Sequence, residues 1–290
     1  MTRSQPPPNR VGHTIGGRYE VLSLLGEGGQ SAVYRARDRR AGDEVALKVL
    51  KPGTSPEATE RMFREARAMA SLQGTAAVRV LDQQWADDGA MCLVTELLEG
   101  APLDEALLAF ESKGERAPIP WILGLMGPVV TTLQAAHGMG IVHRDLKPAN
   151  IFVISEARGG GVRLLDFGFA KFVRLRGLTA AGMVAGSPSY IAPETWQGRH
   201  EAIDHRIDVY ALGGVIFRCV GGQAPFTAKD LTQLLREVTA APRPSLRALR
   251  PELGPDIDDW VTHALSIDPG ERFQSVTALF RAFRHVVESH

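Results

Sequence analysis

The chain has 290 residues, 44% of them apolar and 23% charged, with Lys+Arg and Asp+Glu both at 33. This is globular composition with material for one large core or two smaller ones, and the charge balance excludes a global field that would draw the protein onto nucleic acid or an anionic membrane. Cys92 and Cys219 lie far apart and outside metal-ligand spacing, Met1–Arg10 carries no signal-type apolar core, and no apolar run of membrane-spanning length is read, so a soluble, cytoplasmic protein with two buried thiols is expected.

Residues 1–17 are polar, rich in Pro and Gly and without periodicity, which reads as a flexible tail. Strand-like runs follow at Tyr19–Leu25, Ala32–Arg37 and Glu44–Leu50, bounded by Gly26, Gly28, Gly29 and Gly42 in the pattern of an antiparallel meander. A helix is predicted from Pro56 to about Leu72, with Glu65, Met69 and Leu72 on one face. A strand pair over Ala77–Trp85 and Ala90–Glu96 completes a small sheet. Beyond Glu99 the pattern turns mostly helical, with helix-length apolar periodicity over Trp121–Met139, Asp204–Val220, Ala228–Glu237, Ile257–Leu265 and Ser275–Val287. The layout is a small β-rich lobe followed by a larger helical one.

The turn Gly26–Ser31 offers bare backbone that could close over phosphate oxygens, although a glycine turn between strands is by itself most often only a hairpin. In Glu44–Leu50, alternation puts Val45, Leu47 and Val49 on one face and Ala46 and Lys48 on the other, so Lys48 faces the cleft beneath the glycine turn. A strand lysine is commonly a solvated edge charge. One beneath a phosphate site needs an anionic partner, and Glu65 is the candidate.

The most specific signal is His143-Arg144-Asp145-Leu146-Lys147-Pro148-Ala149-Asn150, with Asp166-Phe167-Gly168 beginning sixteen residues after Asn150. On these residues the chain resembles the eukaryotic-type (Hanks-type) serine/threonine protein kinases, and over Tyr19–Gly29 and Val45–Leu50 it is most similar to the bacterial ones. The resemblance implies an α+β, bilobal protein-kinase fold. A small antiparallel β-rich N-lobe with one key helix would span residues 18–98 and bind ATP. A larger, mainly helical C-lobe would span 99–290 and carry the catalytic loop, the activation segment and the substrate site. It also implies transfer of the ATP γ-phosphate, with Mg²⁺ or in its place Mn²⁺, to Ser/Thr hydroxyls of protein substrates. Self-phosphorylation is included, with a dimer as the arrangement for phosphorylation in trans.

A seryl hydroxyl is a poor nucleophile, so a carboxylate must orient it and accept its proton, a role that falls to Asp145. Lys147 can lie against the transferred phosphoryl group and is the variant that, in the family, goes with Ser/Thr specificity. Mg²⁺ takes one or two side-chain oxygens beside triphosphate oxygens and water, which fits Asn150 and Asp166. By resemblance, Gly26 and Gly28 cover the phosphates, Lys48 pairs with Glu65, and Val33 and Ala46 form the apolar ceiling over adenine. Thr95 then takes the gatekeeper position, and Glu96 to Leu98 offer backbone bonds to adenine. His143 reads as a packed histidine holding the catalytic loop against Phe167.

Ala192-Pro193-Glu194, the aspartate of Asp208–Gly213 and Arg272 extend the resemblance; Glu194 would pair with Arg272, and Asp208 would anchor the catalytic loop. Arg144 is a ready partner for a phosphate on segment 166–194, with Thr179 as acceptor, and Ser187 stands where Ser/Thr kinases usually carry threonine. Two departures stand out: Ser31 replaces the third glycine of the phosphate loop, and Gln73–Ala77 replaces a His-Pro-Asn turn. The alternatives are a pseudokinase acting as a binding scaffold, which intact Lys48, Asp145, Asn150 and Asp166 disfavour, and a small-molecule phosphotransferase, which Lys147 and Ala192–Glu194 disfavour. Many bacterial relatives carry a membrane helix and sensor after the kinase domain, which leaves open a soluble kinase or one part of a longer chain.

Overall fold

The computed structural model describes residues 10–167, 188–199, 201, 203–228 and 230–289. The chain divides into two units, one of Met1–Gln73 with Val78–Glu99 and one of Gly74–Ala77 with Gly100–His290.

Unit one is an antiparallel sheet of β1 (Thr14–Ile15), β2 (Tyr19–Glu27), β3 (Ser31–Asp38), β4 (Glu44–Leu50), β5 (Val80–Trp85) and β6 (Met91–Glu96), ordered β1-β2-β3-β4-β6-β5. Alternation sorts its two faces. Ala32, Tyr34, Ala36, Val45, Leu47, Val49, Cys92 and Val94 join one buried cluster. The register Val33↔Lys48, Lys48↔Leu93 and Ala46↔Thr95 brings Val33, Lys48, Ala46 and Thr95 together on the opposite face. Helix α1 (Pro56–Ser71), with proline at its start, buries Ala58, Met62, Ala66 and Met69 at three- and four-residue steps and packs on β5 and β6.

Within residues 10–17, expected to belong to a flexible tail, Thr14 and Ile15 instead form a strand of this sheet. Thr14 and Ile15 pair with Glu20 and Tyr19, the amide of Gly12 donates to the Val21 carbonyl at 2.9 Å, and Ile15 is 2% exposed. Gly16 and Gly17, at φ +56° and +64°, supply the left-handed turn such a hairpin needs, so glycines that read as tail composition are turn chemistry. Ile15→Ala is therefore expected to cost about 2–5 kcal/mol of stability, read by urea denaturation. An unchanged midpoint would show that the strand contributes nothing to the core.

Unit two contains α2 (Leu103–Glu111), α3 (Ile119–Gly138), α4 (Pro193–Trp196), α5 (Arg206–Gly221), α6 (Leu231–Ala240), α7 (Asp256–Ala264) and α8 (Val276–Glu288). It also holds a small sheet of β7 (Gly100–Pro102), β8 (Ile151–Ile154) and β9 (Val162–Leu164). Helix α5 is its central post: from Ile207 to Gly221 every residue except Arg218 is buried. A Cβ on Gly213 would lie 2.9 Å from that of Ala264, so only glycine lets α7 approach this closely. Helix α6 starts three residues later than expected because Asp230 caps it, accepting from Gln233 N at 2.8 Å.

Helix α3 corrects the reading that no apolar run reaches spanning length: by length and composition alone its twenty residues could cross a membrane. Its buried apolar residues, Ile122, Leu125, Met126, Val129, Val130, Leu133 and Ala136, instead recur at helical spacing and pack toward α5 and α8, as in a core helix. Both cysteines are buried, and burial pushes each thiol up to about 12. The expected strand from Ala77 begins only at Val80, because the preceding turn joins unit two. Ala76 donates to Thr132 Oγ1 at 2.9 Å, and its carbonyl accepts from Leu164 N at 2.7 Å.

Candidate active site

Within unit one, Lys48 Nζ donates to Glu65 Oε1 at 2.9 Å, their side chains 19% and 14% exposed. The strand alternation that buries Leu47 and Val49 turns Lys48 to the face bearing Val33, Ala46 and Thr95, and α1 delivers Glu65 to it. A partly buried ammonium bonded to a carboxylate partner is held in a fixed position, which suits it to bind a polyanion.

The glycine turn lies at one end of the same face. Neither Gly26 nor Gly28 has a positive φ, and a Cβ on either would meet nothing closer than 3.5 Å. The protein's own packing thus makes no demand for glycine there. Bare backbone at these positions is what a closely approaching ligand would require. Thr95 and Glu96 end β6, and Leu98 lies in the irregular stretch that follows. The Glu96 amide is committed to the Arg79 carbonyl at 3.0 Å.

In unit two, the β8–β9 pairing Ile151↔Leu164 continues into a Leu165 N to Asn150 O bond of 2.8 Å, so Asn150 and Asp166 come to the same end of one hairpin. Asn150 is 7% exposed and donates Nδ2 to the Asp145 carbonyl at 2.7 Å, which leaves its oxygen as the group able to face a cation. Among the described residues no cluster of three or more His, Cys, Asp or Glu could hold a metal by itself. One amide oxygen and one carboxylate fit Mg²⁺, which completes its shell with phosphate and water oxygens.

Asp145 Oδ2 accepts from Lys147 Nζ at 3.1 Å, the two side chains 16% and 19% exposed. A carboxylate and an ammonium are thus held side by side, one able to accept a proton and the other to meet developing negative charge. The backbone beneath them is strained: Arg144 at φ +66° and Asp166 at +46° are the non-glycine residues in the left-handed region among those described. Asp208, on the central post and 1% exposed, holds that shape, accepting from His143 N at 2.7 Å and Arg144 N at 2.9 Å.

His143 is fully buried with its ring centroid 4.7 Å from that of Phe167. Its Nε2 bonds the Leu165 carbonyl and its Nδ1 accepts from Asp145 N, so it is neutral, and burial pushes its pKa down. His137, in the last turn of α3, supplies a third bond to Asp208, Nε2 to Oδ2 at 2.8 Å. The sequence reading misses His137, for its partner is distant in the chain and nothing local distinguishes it. Glu194 and Arg272 meet in a buried bidentate pair at 2.8 and 2.7 Å. The expected Thr179 and Ser187 lie outside the described residues.

The family described as protein kinase domain matches residues 19–283. The chain is 35% identical over 288 residues to the serine/threonine-protein kinase pkn3 of Myxococcus xanthus, covering 96% of this chain and 51% of that one. It is 36% identical over 273 residues to serine/threonine-protein kinase PknA of Mycobacterium tuberculosis, covering 92% and 60%. The chain therefore spans about half to three-fifths of these relatives. Among solved structures, the Mycobacterium tuberculosis PknI kinase domain superposes with a TM-score of 0.72 at 26% identity, over 98% of this chain and 99% of that one.

Proposed function

The chain belongs to the protein kinase family, and from that membership we propose that it transfers the γ-phosphate of ATP to serine or threonine hydroxyls of proteins, itself included. The observation that carries the reading is the Asp145–Lys147 pair at 3.1 Å, seated on a strained loop that Asp208 and Asn150 tie down. Asp145 orients the acceptor hydroxyl and takes its proton as the new P–O bond forms. In unit two, Lys147 beside Asp145 is suited to meet charge on a phosphate oxygen; in unit one, Lys48 and the amides of the glycine turn are the groups suited to bind phosphate. Asn150 and Asp166 would hold Mg²⁺, with Mn²⁺ as a substitute; the ion, when bound, neutralises phosphate charge.

Lys147 supports serine and threonine over tyrosine as acceptors. A catalytically silent scaffold would predict damage at Lys48, Asp145, Asn150 or Asp166, and all four are present. The test is label transfer from γ-labelled ATP and Mg²⁺ to a generic basic protein by wild type and Lys48→Met. Transfer in wild type and a loss of about 10²-fold or more in the variant are expected. Equal transfer by both would remove the mechanism, and nucleotide binding without transfer in wild type would favour the scaffold.

A further inference from the structure

The glycine turn is tethered from two sides inside its own unit. The carbonyl of Gln30 accepts from Lys51 N at 2.9 Å, and Lys51 Nζ reaches Glu27 Oε1 at 2.5 Å. The side chain of Gln30 is engaged as well, its Oε1 accepting from Arg61 Nη2 at 3.1 Å. Arg61 lies on α1 one turn before Glu65, so neighbouring turns of one helix hold the glycine turn and Lys48. Glu57 and Glu65 flank Arg61 one turn to either side, and the guanidinium nonetheless reaches out to the neutral amide of the turn.

We propose that Gln30 and Arg61 form a latch that positions the phosphate-covering turn on α1 and thereby couples nucleotide binding to the Lys48–Glu65 pair. The inference rests on the kinase reading above, since the turn needs positioning only if it covers phosphates. A charge-assisted bond from a helix to a glycine-rich turn restricts conformations that nucleotide binding would otherwise have to remove. Both residues act through the turn, which makes them positioning residues. Gln30 also gives chemical meaning to the turn's departure at Ser31: where backbone freedom is lost, a side chain supplies a handle.

The test is a double-mutant cycle of Gln30→Ala, Arg61→Ala and the double variant, with affinity for the Mg²⁺ complex of a fluorescent N-methylanthraniloyl ATP measured beside KM, kcat and Tm. Each single variant is expected to raise Kd and the KM for ATP by about three- to tenfold, with kcat within about twofold and Tm unchanged. The double variant should be no worse than either single one, and Arg61→Lys, which keeps a cationic donor, should show a smaller rise. Single variants with wild-type affinity, or effects that multiply in the double variant, would overturn the latch. A wild type that binds no nucleotide would overturn latch and kinase reading together. One that binds without transferring would sink the transfer alone, and the affinities would still decide the latch.

Discussion

Exchange of Asp145 for asparagine is expected to lower kcat by about 10²–10⁴ while nucleotide affinity stays within about threefold. The two side chains are isosteric, and the supports of the loop do not depend on the charge of the carboxylate. Asn150 Nδ2 bonds the Asp145 carbonyl, Asp208 bonds the amides of His143 and Arg144, and His143 Nδ1 accepts from the amide of residue 145. The variant should therefore fold and bind nucleotide through Lys48 and the glycine turn. Under the proposed mechanism it lacks the base that takes the hydroxyl proton, and it places a neutral amide beside Lys147. Steady-state kinetics with saturating ATP and a basic protein acceptor check this, and a residual rate within tenfold of wild type would remove Asp145 from the chemistry.

The largest effect on stability is expected at Glu194. The Arg272–Glu194 pair is wholly buried, with both side chains at 0% exposure. All five guanidinium donors of Arg272 are used: two on Glu194 and one each on the carbonyls of Ser266, Arg206 and Ile267. The guanidinium also lies 5.0 Å from the centre of the Tyr210 ring. Glu194→Ala leaves a full charge in the interior with two donors orphaned, and a loss of about 3–5 kcal/mol follows, visible as a fall in Tm and in the urea midpoint. Replacing both residues by apolar ones should not restore wild-type stability, because the three carbonyls would lose their donor. A Glu194→Ala protein within about 1 kcal/mol of wild type would mean that the buried charge finds another partner.

The candidate site could be read from the sequence where its side chains stand at short, fixed spacing. Asp145, Lys147 and Asn150 fall within six residues of one another, and period-two alternation alone was enough to turn Lys48 away from the core. What escaped the sequence depends on partners far apart in the chain or on segments too short for periodicity. His137 meets Asp208 across 71 residues, and Arg61 meets Gln30 across 31. Strands β7 to β9 have three or four residues each, too few to show alternation, yet their pairing sets Asn150 beside Leu165 and Asp166. The hairpin at Gly16–Gly17 was hidden by composition, since glycine and polar residues mark a tight turn and a loose tail alike.

The most direct test is to incubate wild type and Asp145→Asn with γ-labelled ATP, Mg²⁺ and a basic protein acceptor, hydrolyse the products in acid and separate the phosphoamino acids. Label on phosphoserine and phosphothreonine in wild type, and its absence with Asp145→Asn at comparable nucleotide affinity, is the predicted result. Equal labelling by both proteins, or label confined to phosphotyrosine, would contradict it.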